Sequence, residues 1–284
     1  MSAQPLSRAD IERVAQLALE EDLAGGVDIT TVSTVDSETR GTADFVARVP
    51  GVVTGISVAA EIVEQRFAGR GTVQTLVGDG APVASGDVLL SITGPVREIL
   101  TAERSALNIL CHLSGIATTT ARWVTAVEGT GTIVRDTRKT TPGLRILEKY
   151  AVRCGGGRNH RMGLADQALI KDNHLVAAGS VRAALAAVQA SYPDVICEVE
   201  CDTLDQVREA VESGARLVLL DNMDLADLRE AVAIARPAGV QTEASGGLTL
   251  DRARVVAETG VDFLAVGALT HSAPALDIGL DLRD

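Results

Sequence analysis

The sequence predicts an α/β protein in two parts, with mixed helices and strands first and repeated βα units after residue 131. The chain has 284 residues and is 46% hydrophobic, which is enough apolar mass for a large core. In the second part, short apolar runs alternate with helical patterns. This alternation predicts parallel strands, arranged either as an open sheet or as a closed barrel.

The first part begins with a predicted helix. Ser7 and Asp10 form a capping box, and Gly25 and Gly26 end the helix. Apolar patterns then predict a strand at residues 43–49, a helix at 56–67, a strand at 71–77, two strands joined by turns within 78–92, and a long helix at 97–128. On the long helix, Arg104 and Asn108 lie one turn apart on a face that core packing does not explain.

The second part contains six apolar runs that predict strands. They lie at residues 132–136, 168–172, 195–200, 216–221, 240–247 and 262–268. Each run ends in polar residues or glycine, at the edge where active sites of barrels and doubly wound sheets assemble.

Residues 135–171 concentrate positive charge in a chain whose net charge is -12. Nine Lys or Arg stand against three acids in this segment, a local net charge of about +6. A single-sign cluster attracts anions. Nucleic acid fits poorly, because the pI is 4.8 and only 2% of residues are aromatic. A small polyanion is the expected ligand.

Carboxylates occur at the ends of two neighbouring predicted strands. Glu198 and Glu200 lie on one face of their strand, and Asp221 ends the next. Glu200 and Asp221 could hold a divalent cation or bind sugar hydroxyls. The alternative is a structural salt bridge with Lys171 or Lys139.

Glycine-rich loops follow the last two predicted strands, at residues 244–247 and 266–272. Such loops bring backbone N–H groups close to an anion, and in α/β barrels they often bind phosphate. The four histidines form no Ser-His-Asp order and no metal spacing, which disfavours hydrolase and zinc functions.

Four cysteines without a Cys-x-x-Cys pair indicate reduced thiols in a cytoplasmic protein. The N-terminal residues lack the pattern of a secretory signal, and no apolar run is long enough to span a bilayer. We therefore expect a cytoplasmic protein that has no membrane partner.

Seven motifs, in their order and spacing, resemble those of the quinolinate phosphoribosyltransferase family. They are RDTRKTTPGLR, GGGRNHRMGL, LIKDNH, EVECD, LLDN, EASGG and VGALTHS, and DITT and TAER extend the resemblance over nearly the whole chain. The resemblance implies an N-terminal α/β sandwich domain (residues 1–112) and an incomplete, six-stranded α/β barrel (residues 113–272). It also implies that the tail, residues 273–284, returns to the first domain.

The same resemblance implies a reaction and its ligands. The substrates would be quinolinate and phosphoribosyl pyrophosphate, with Mg2+ as cofactor and nicotinate mononucleotide, pyrophosphate and CO2 as products. Arg104, Arg138, His160 and Arg161 would bind the carboxylates of quinolinate. Lys139 and Lys171 would contact phosphoribosyl pyrophosphate. Glu200 and Asp221 would bind the ribose hydroxyls and the metal. These two lysines and two carboxylates would be the catalytic residues. Thr137 would also contact substrate, and the phosphate end would be lined by Ser245, Gly246, Gly247, Gly267 and His271.

The resemblance further implies a homodimer, or a higher assembly of dimers, in which Arg104 completes the partner's site. Arg135, Arg145, Lys149, Arg153 and Arg158 stay open as supporting or solvated cations. Two other functions remain open: an aldolase-like barrel in which Lys171 forms a Schiff base, and a non-catalytic anion-binding protein.

Overall fold

The structure, a computed structural model, describes residues 4–283 and divides into two compact units. Unit 1 contains residues 4–121, Thr141–Gly156 and residues 272–283, and unit 2 contains Arg122–Thr140 and Gly157–His271. The boundary expected between residues 112 and 113 falls within a continuous helix, and residues 141–156, expected in the barrel, belong to unit 1.

Helices and strands alternate along most of the chain. The α-helices within residues 4–283 are α1 (Arg8–Leu23), α2 (Ile29–Thr34), α3 (Ile56–Phe67), α4 (Val96–Ala126), α5 (Arg145–Cys154), α6 (Asp172–Ala178), α7 (Val181–Ser191), α8 (Leu204–Glu212), α9 (Leu225–Ala235), α10 (Ala253–Ala257) and α11 (Ala268–His271). The strands there are β1 (Arg40–Ala47), β2 (Gly51–Val52), β3 (Thr72–Thr75), β4 (Pro82–Val83), β5 (Val88–Pro95), β6 (Ile133–Arg135), β7 (Ala168–Ile170), β8 (Cys197–Cys201), β9 (Leu217–Asp221), β10 (Gln241–Ser245), β11 (Phe263–Ala265) and β12 (Ile278–Arg283).

Helix α1 begins and ends close to where the sequence predicts. The Ser7 hydroxyl oxygen accepts the Asp10 N–H at 3.1 Å, which satisfies one of the unpaired donors of the first turn. The helix ends through left-handed residues at Ala24 and Gly25. Helix α3 has the predicted bounds, and its buried face includes Ile62 and Phe67.

Unit 1 is built on an antiparallel sheet with the strand order β12-β1-β5-β3. The tail pairs with the first strand through β12, from Thr42 opposite Arg283 to Ala47 opposite Ile278. Helix α4 buries Ile99, Ala102 and Ala106, whereas its Arg104 is exposed. This sheet and its helices form the predicted α/β sandwich.

Unit 2 contains a parallel sheet with the strand order β6-β11-β10-β9-β8-β7. Successive strands from β7 to β11 are neighbours, and β11 returns to pair with β6, which is the order of a barrel. Strands β6 and β7 are the two ends of this order, so the barrel is incomplete. All six predicted strands are present, and their carboxyl ends meet at one edge.

No helix in the described part of the chain has both the length and the apolar character needed to cross a bilayer. All four cysteines are free thiols. Burial raises the pKa of Cys197 to about 11 and that of Cys201 to about 12, so both are unreactive packing residues.

Candidate active site

A pocket of about 360 Å³ opens at the carboxyl edge of the parallel sheet in unit 2. Strands β9 and β10 contribute their last residues, Asp221 and Ser245, and β8 contributes Glu200. Lys171 directly follows β7. Because a volume of this size suits a small ligand, the geometry favours a metabolite over a polymer.

Most of the sequence-predicted site residues meet in this pocket. Its lining includes Thr137, Arg138, Lys139, His160, Arg161, Lys171, Glu200, Asp221 and Ser245. Gly246 and Gly247 line a smaller cavity that shares Ser245 with the pocket. Arg104 lies on α4 in unit 1, so its assignment to the quinolinate site stays a prediction.

Gly267 lies beside two other predicted site residues. A Cβ atom at Gly267 would lie 3.0 Å from Lys139 Cδ and 3.2 Å from His271 Nε2. The Thr270 hydroxyl donates to the backbone carbonyl of Lys139 at 2.8 Å. The loop after β11 therefore packs closely against the loop that carries Lys139.

The cation-rich segment does not act as one patch, because the fold divides it between the two units. Arg145, Lys149 and Arg153 lie on α5 in unit 1, where Lys149 is fully buried and Arg153 donates to the Gln4 carbonyl. Arg158 is exposed in unit 2. The pocket itself receives four cations of the segment, which are Arg138, Lys139, Arg161 and Lys171.

Arg138 and Arg161 lie close enough to repel each other. Burial, followed by the charge of Arg138, lowers the pKa of Arg161 from its usual value. Two guanidinium groups held together in this way form a strong site for carboxylates, because each offers several donors in a plane.

Lys171 and Glu200 form an ion pair at the pocket. Lys171 also caps α6, because its backbone N–H donates to His174 Nδ1 at 2.9 Å. The side chain of Lys171 is 46% exposed and that of Glu200 is 11% exposed, so the pair remains accessible to a ligand.

A turn after β9 holds Asp221 in place. Asn222 Nδ2 donates to Asp221 Oδ2 at 2.6 Å, and the Asn222 N–H donates to the Ser245 carbonyl at 2.9 Å. Asn222 adopts a φ of 53°, which asparagine tolerates better than most residues. Its side chain lies against Gly246, whose φ is +89°. This turn therefore connects a pocket carboxylate to the glycine-rich loop.

A cluster of buried charged side chains adjoins the pocket. Glu198 and Glu243 are fully buried, and His160 Nε2 lies 2.7 Å from Glu198 Oε2 and 3.4 Å from Glu243 Oε1. Arg135 Nη1 donates to Glu243 Oε2 at 2.7 Å. Burial raises the pKa of each glutamate to about 7, although Arg135 opposes the shift.

The hydrogen bonds of His160 define its tautomer. Its Nδ1 accepts the backbone N–H of Arg161 at 2.7 Å, so the ring proton lies on Nε2 and is donated to Glu198. Ligand atoms of His160, Glu198 and Glu243 lie within 4.8 Å of one another, a spacing that a metal could bridge. In the structure these side chains are joined by hydrogen bonds and ion pairs, so they form a buried polar network.

Sequence reasoning assigned no role to Glu243 or Asn222, and it left Arg135 open. Glu243 was detectable as a charged residue inside an otherwise apolar strand, the same signal that singled out Glu198. The pairing of Glu243 with Arg135 joins β10 to β6, two strands that are not neighbours in the sheet. This contact forms only because β11 returns to pair with β6, which brings β6 near β10. It cannot be predicted from the sequence of either strand alone.

The incomplete barrel and its cationic pocket define an enzyme that acts on small anionic substrates. Two family models then match the chain. The "Quinolinate phosphoribosyl transferase, N-terminal domain" covers residues 28–114, and the corresponding C-terminal domain covers residues 116–281. The chain therefore belongs to the quinolinate phosphoribosyl transferase family.

Curated relatives and solved structures agree with this assignment. The chain is 53% identical over 268 residues to the nicotinate-nucleotide pyrophosphorylase [carboxylating] of Mycobacterium leprae, covering 93% of this chain and 94% of the relative. It is 38% identical to quinolinate phosphoribosyltransferase [decarboxylating] 2 of Nicotiana glauca, with 96% and 82% covered. The nicotinate-nucleotide pyrophosphorylase structure from Francisella tularensis superposes with a TM-score of 0.92 at 36% identity, over 100% of this chain and 99% of the other.

Proposed function

We propose that this protein transfers the phosphoribosyl group of phosphoribosyl pyrophosphate to quinolinate and releases CO2. The products are nicotinate mononucleotide and pyrophosphate, and the reaction belongs to de novo NAD biosynthesis. The observation that carries the proposal is the convergence of four cations and three carboxylates, those of Glu200, Asp221 and Glu243, on one pocket. Both substrates are polyanions that need such counter-charges.

Quinolinate is bound through its two carboxylates. Arg138 and Arg161 are adjacent in the pocket and suit a pair of carboxylates on neighbouring ring carbons. Nicotinate lacks one of these carboxylates and would leave a partly buried cation without its partner. The enzyme therefore discriminates for the dicarboxylate.

Phosphoribosyl pyrophosphate is bound along the other side of the pocket. Lys139 and Lys171 contact its phosphate oxygens, and Glu200 and Asp221 bind the ribose hydroxyls. Ser245 and the glycines that follow it accept the phosphate end, because a turn without side chains brings N–H groups close to an anion.

Bond formation needs no general base from the protein. The pyridine nitrogen of quinolinate is itself the nucleophile, and it attacks the ribose carbon that loses pyrophosphate. The residues of the pocket hold the two substrates in line and stabilise the departing charge. Once the nitrogen is alkylated, its positive charge stabilises the electron pair left at C2 when that carboxylate departs as CO2. A proton from water then bonds to C2 and completes nicotinate mononucleotide.

Mg2+ is the proposed cofactor. Glu200 and Asp221 are oxygen donors on adjacent strands in the same pocket, a donor set that suits this ion. Two carboxylates leave room in an octahedral shell for water and substrate oxygens. When bound, Mg2+ supplies charge neutralisation for pyrophosphate.

The proposed assembly is a homodimer, or a group of dimers, with shared sites. Arg104 is exposed on α4, and its neighbour on the same face, Asn108, is exposed as well. An exposed arginine on this face is available to a partner subunit, where it would meet a quinolinate carboxylate. A twofold axis would generate two such sites per dimer.

The proposed setting is the cytoplasm. All four cysteines are free thiols, as a reducing compartment requires. Fractionation of cells that express the tagged protein tests this location.

One assay tests the reaction. The purified protein is incubated with Mg2+, phosphoribosyl pyrophosphate and quinolinate labelled at the C2 carboxylate, and labelled CO2 is measured. Release of CO2 only when both substrates are present supports the proposal, and comparable turnover of nicotinate would refute the substrate assignment. A Schiff base on Lys171 is disfavoured, because its side-chain nitrogen is already paired with Glu200.

A further inference from the structure

We propose that Glu198 is a positioning residue that sets the affinity for quinolinate by holding Arg161. The inference rests on the proposed function and assigns a role to a side chain that is fully buried. Glu198 cannot touch a ligand from this position. Its influence has to pass through the groups that it binds.

One oxygen atom of Glu198 connects to both ends of Arg161. Glu198 Oε2 accepts from His160 Nε2 at 2.7 Å and from Gln167 Nε2 at 3.2 Å. The other side of the His160 ring accepts the backbone N–H of Arg161 at 2.7 Å. The backbone carbonyl of Gln167 accepts Nη1 of the same arginine at 3.1 Å. The carboxylate thereby fixes the backbone and the guanidinium together.

The negative charge of Glu198 also helps to hold Arg161 in place, as the hydrogen bonds do. Arg161 has to remain beside Arg138, and two like charges in a partly buried site repel each other. Glu198 provides an opposing attraction for Arg161 from inside the sheet. Without this carboxylate, we expect the guanidinium of Arg161 to turn away from Arg138 and to lose the arrangement that matches two carboxylates.

The same geometry gives His160 a positioning role. Both ring nitrogens are engaged within the protein, one by Arg161 and one by Glu198. In this tautomer the ring is neutral and transmits the position of Glu198 to Arg161.

The test measures the two substrates separately. Dissociation constants for quinolinate and for phosphoribosyl pyrophosphate with Mg2+ are determined by calorimetry for the whole protein and for Glu198→Ala, Glu198→Gln and Gln167→Leu. A matched control is Asp262→Asn, which alters a carboxylate of the same sheet that binds the Thr242 N–H at 2.8 Å, near the amino end of β10. KM and kcat are measured for each variant.

Glu198→Ala should raise the dissociation constant and KM for quinolinate at least about tenfold, the effect of losing a charge-assisted bond. The values for phosphoribosyl pyrophosphate should stay within about twofold, since the hydrogen bonds of Glu198 lead to Arg161, whereas Glu198 acts on Lys171 only through its charge. Glu198→Gln keeps an acceptor and should recover part of the loss, and Gln167→Leu should show a smaller loss of the same kind. The control should keep both affinities.

Two results would overturn the inference: unchanged quinolinate affinity in the folded Glu198 variants, or an equal loss for both substrates, which indicates a structural role. If Glu198→Ala does not fold, the same criteria apply to Glu198→Gln and Gln167→Leu. Failure of the proposed function would give a different result, because the unaltered protein would then bind no quinolinate and release no CO2. That result would also refute the inference about Glu198.

Discussion

Gly246 permits a sharp test of the glycine-rich loop, because the chain contains a matched control. Gly246 has a φ of +89°, and a Cβ atom there would lie 2.2 Å from Asn222 Oδ1 and 2.9 Å from the Asn222 backbone nitrogen. Gly214, in the turn after α8, has a φ of +83° with no atom within 4 Å of its added Cβ. Substituting each by alanine therefore separates backbone strain from the close contact.

The structure gives the expected size of each effect. A left-handed conformation costs an L-residue about 1–2 kcal/mol, which both variants incur. Gly246→Ala also has to displace Asn222, whose amide donates to Asp221 Oδ2 at 2.6 Å. Overpacking and the loss of that bond add about 1–3 kcal/mol. We expect a loss of about 1–2 kcal/mol for Gly214→Ala and about 2–5 kcal/mol for Gly246→Ala.

Urea unfolding measures these losses, and steady-state kinetics measures the site. Gly214→Ala should keep its kinetic constants, because its turn lies away from the pocket lining. Gly246→Ala should raise the KM for phosphoribosyl pyrophosphate by about tenfold or more, since Asp221 moves with Asn222. Equal destabilisation of the two variants, with an unchanged KM in Gly246→Ala, would refute the reasoning.

Three further predictions concern charge. Burial raises the pKa of Glu198 from 4.5 to about 7, so between these pH values the unfolded chain releases a proton that the folded protein keeps, and the folded protein loses stability as pH rises. Glu198→Gln should therefore gain a few kcal/mol on the unaltered protein between about pH 4.5 and 7 in urea unfolding. A difference that does not change with pH would contradict this prediction. Lys171→Ala should weaken phosphoribosyl pyrophosphate binding while lowering stability by no more than about 1 kcal/mol, because its pair with Glu200 is partly exposed; a large drop in melting temperature with normal binding would oppose it. A mixture of Arg104→Ala and Lys139→Ala subunits should recover about a quarter of full activity after verified subunit exchange. About half of the dimers would then be mixed, and each mixed dimer would hold one intact site of two. No recovery would place Arg104 in the site of its own subunit.

Much of the fold could be predicted from local sequence. The bounds of α3 were predictable because an apolar stripe runs between Gly55 and the left-handed end at Ala68. The meeting of Lys171, Glu200 and Asp221 was predictable for a different reason. Each follows or ends a predicted parallel strand, and parallel strands place their carboxyl ends at one edge.

Other features depend on contacts that no local pattern encodes. Lys149 belongs to the cation-rich segment, yet it is fully buried within unit 1 because α5 packs there. Gln167 precedes β7 and gains its importance only from the carboxylate of Glu198 on the next strand. The division of residues 135–171 between two units is also a tertiary property. Charge counting over the sequence identified the segment that supplies the cations of the pocket, but it could not choose among them.

The net charge of -12 does not oppose the binding of anionic substrates, because a charge affects the pocket only if it lies within a short distance of it. At physiological ionic strength the Debye length is about 8 Å, so the acids on distant surfaces are largely screened from the pocket. The acids at and beside the pocket are already engaged within the protein. Glu200 pairs with Lys171, and Asp221 accepts a hydrogen bond from Asn222. Glu243 pairs with Arg135, and Glu198 accepts from His160 and Gln167. Their charge attracts the neighbouring cations, while Arg138, Lys139, Arg161 and Lys171 line the pocket itself. An acidic protein can thus present a strongly cationic site, and quinolinate binding should depend more on these few residues than on the overall charge.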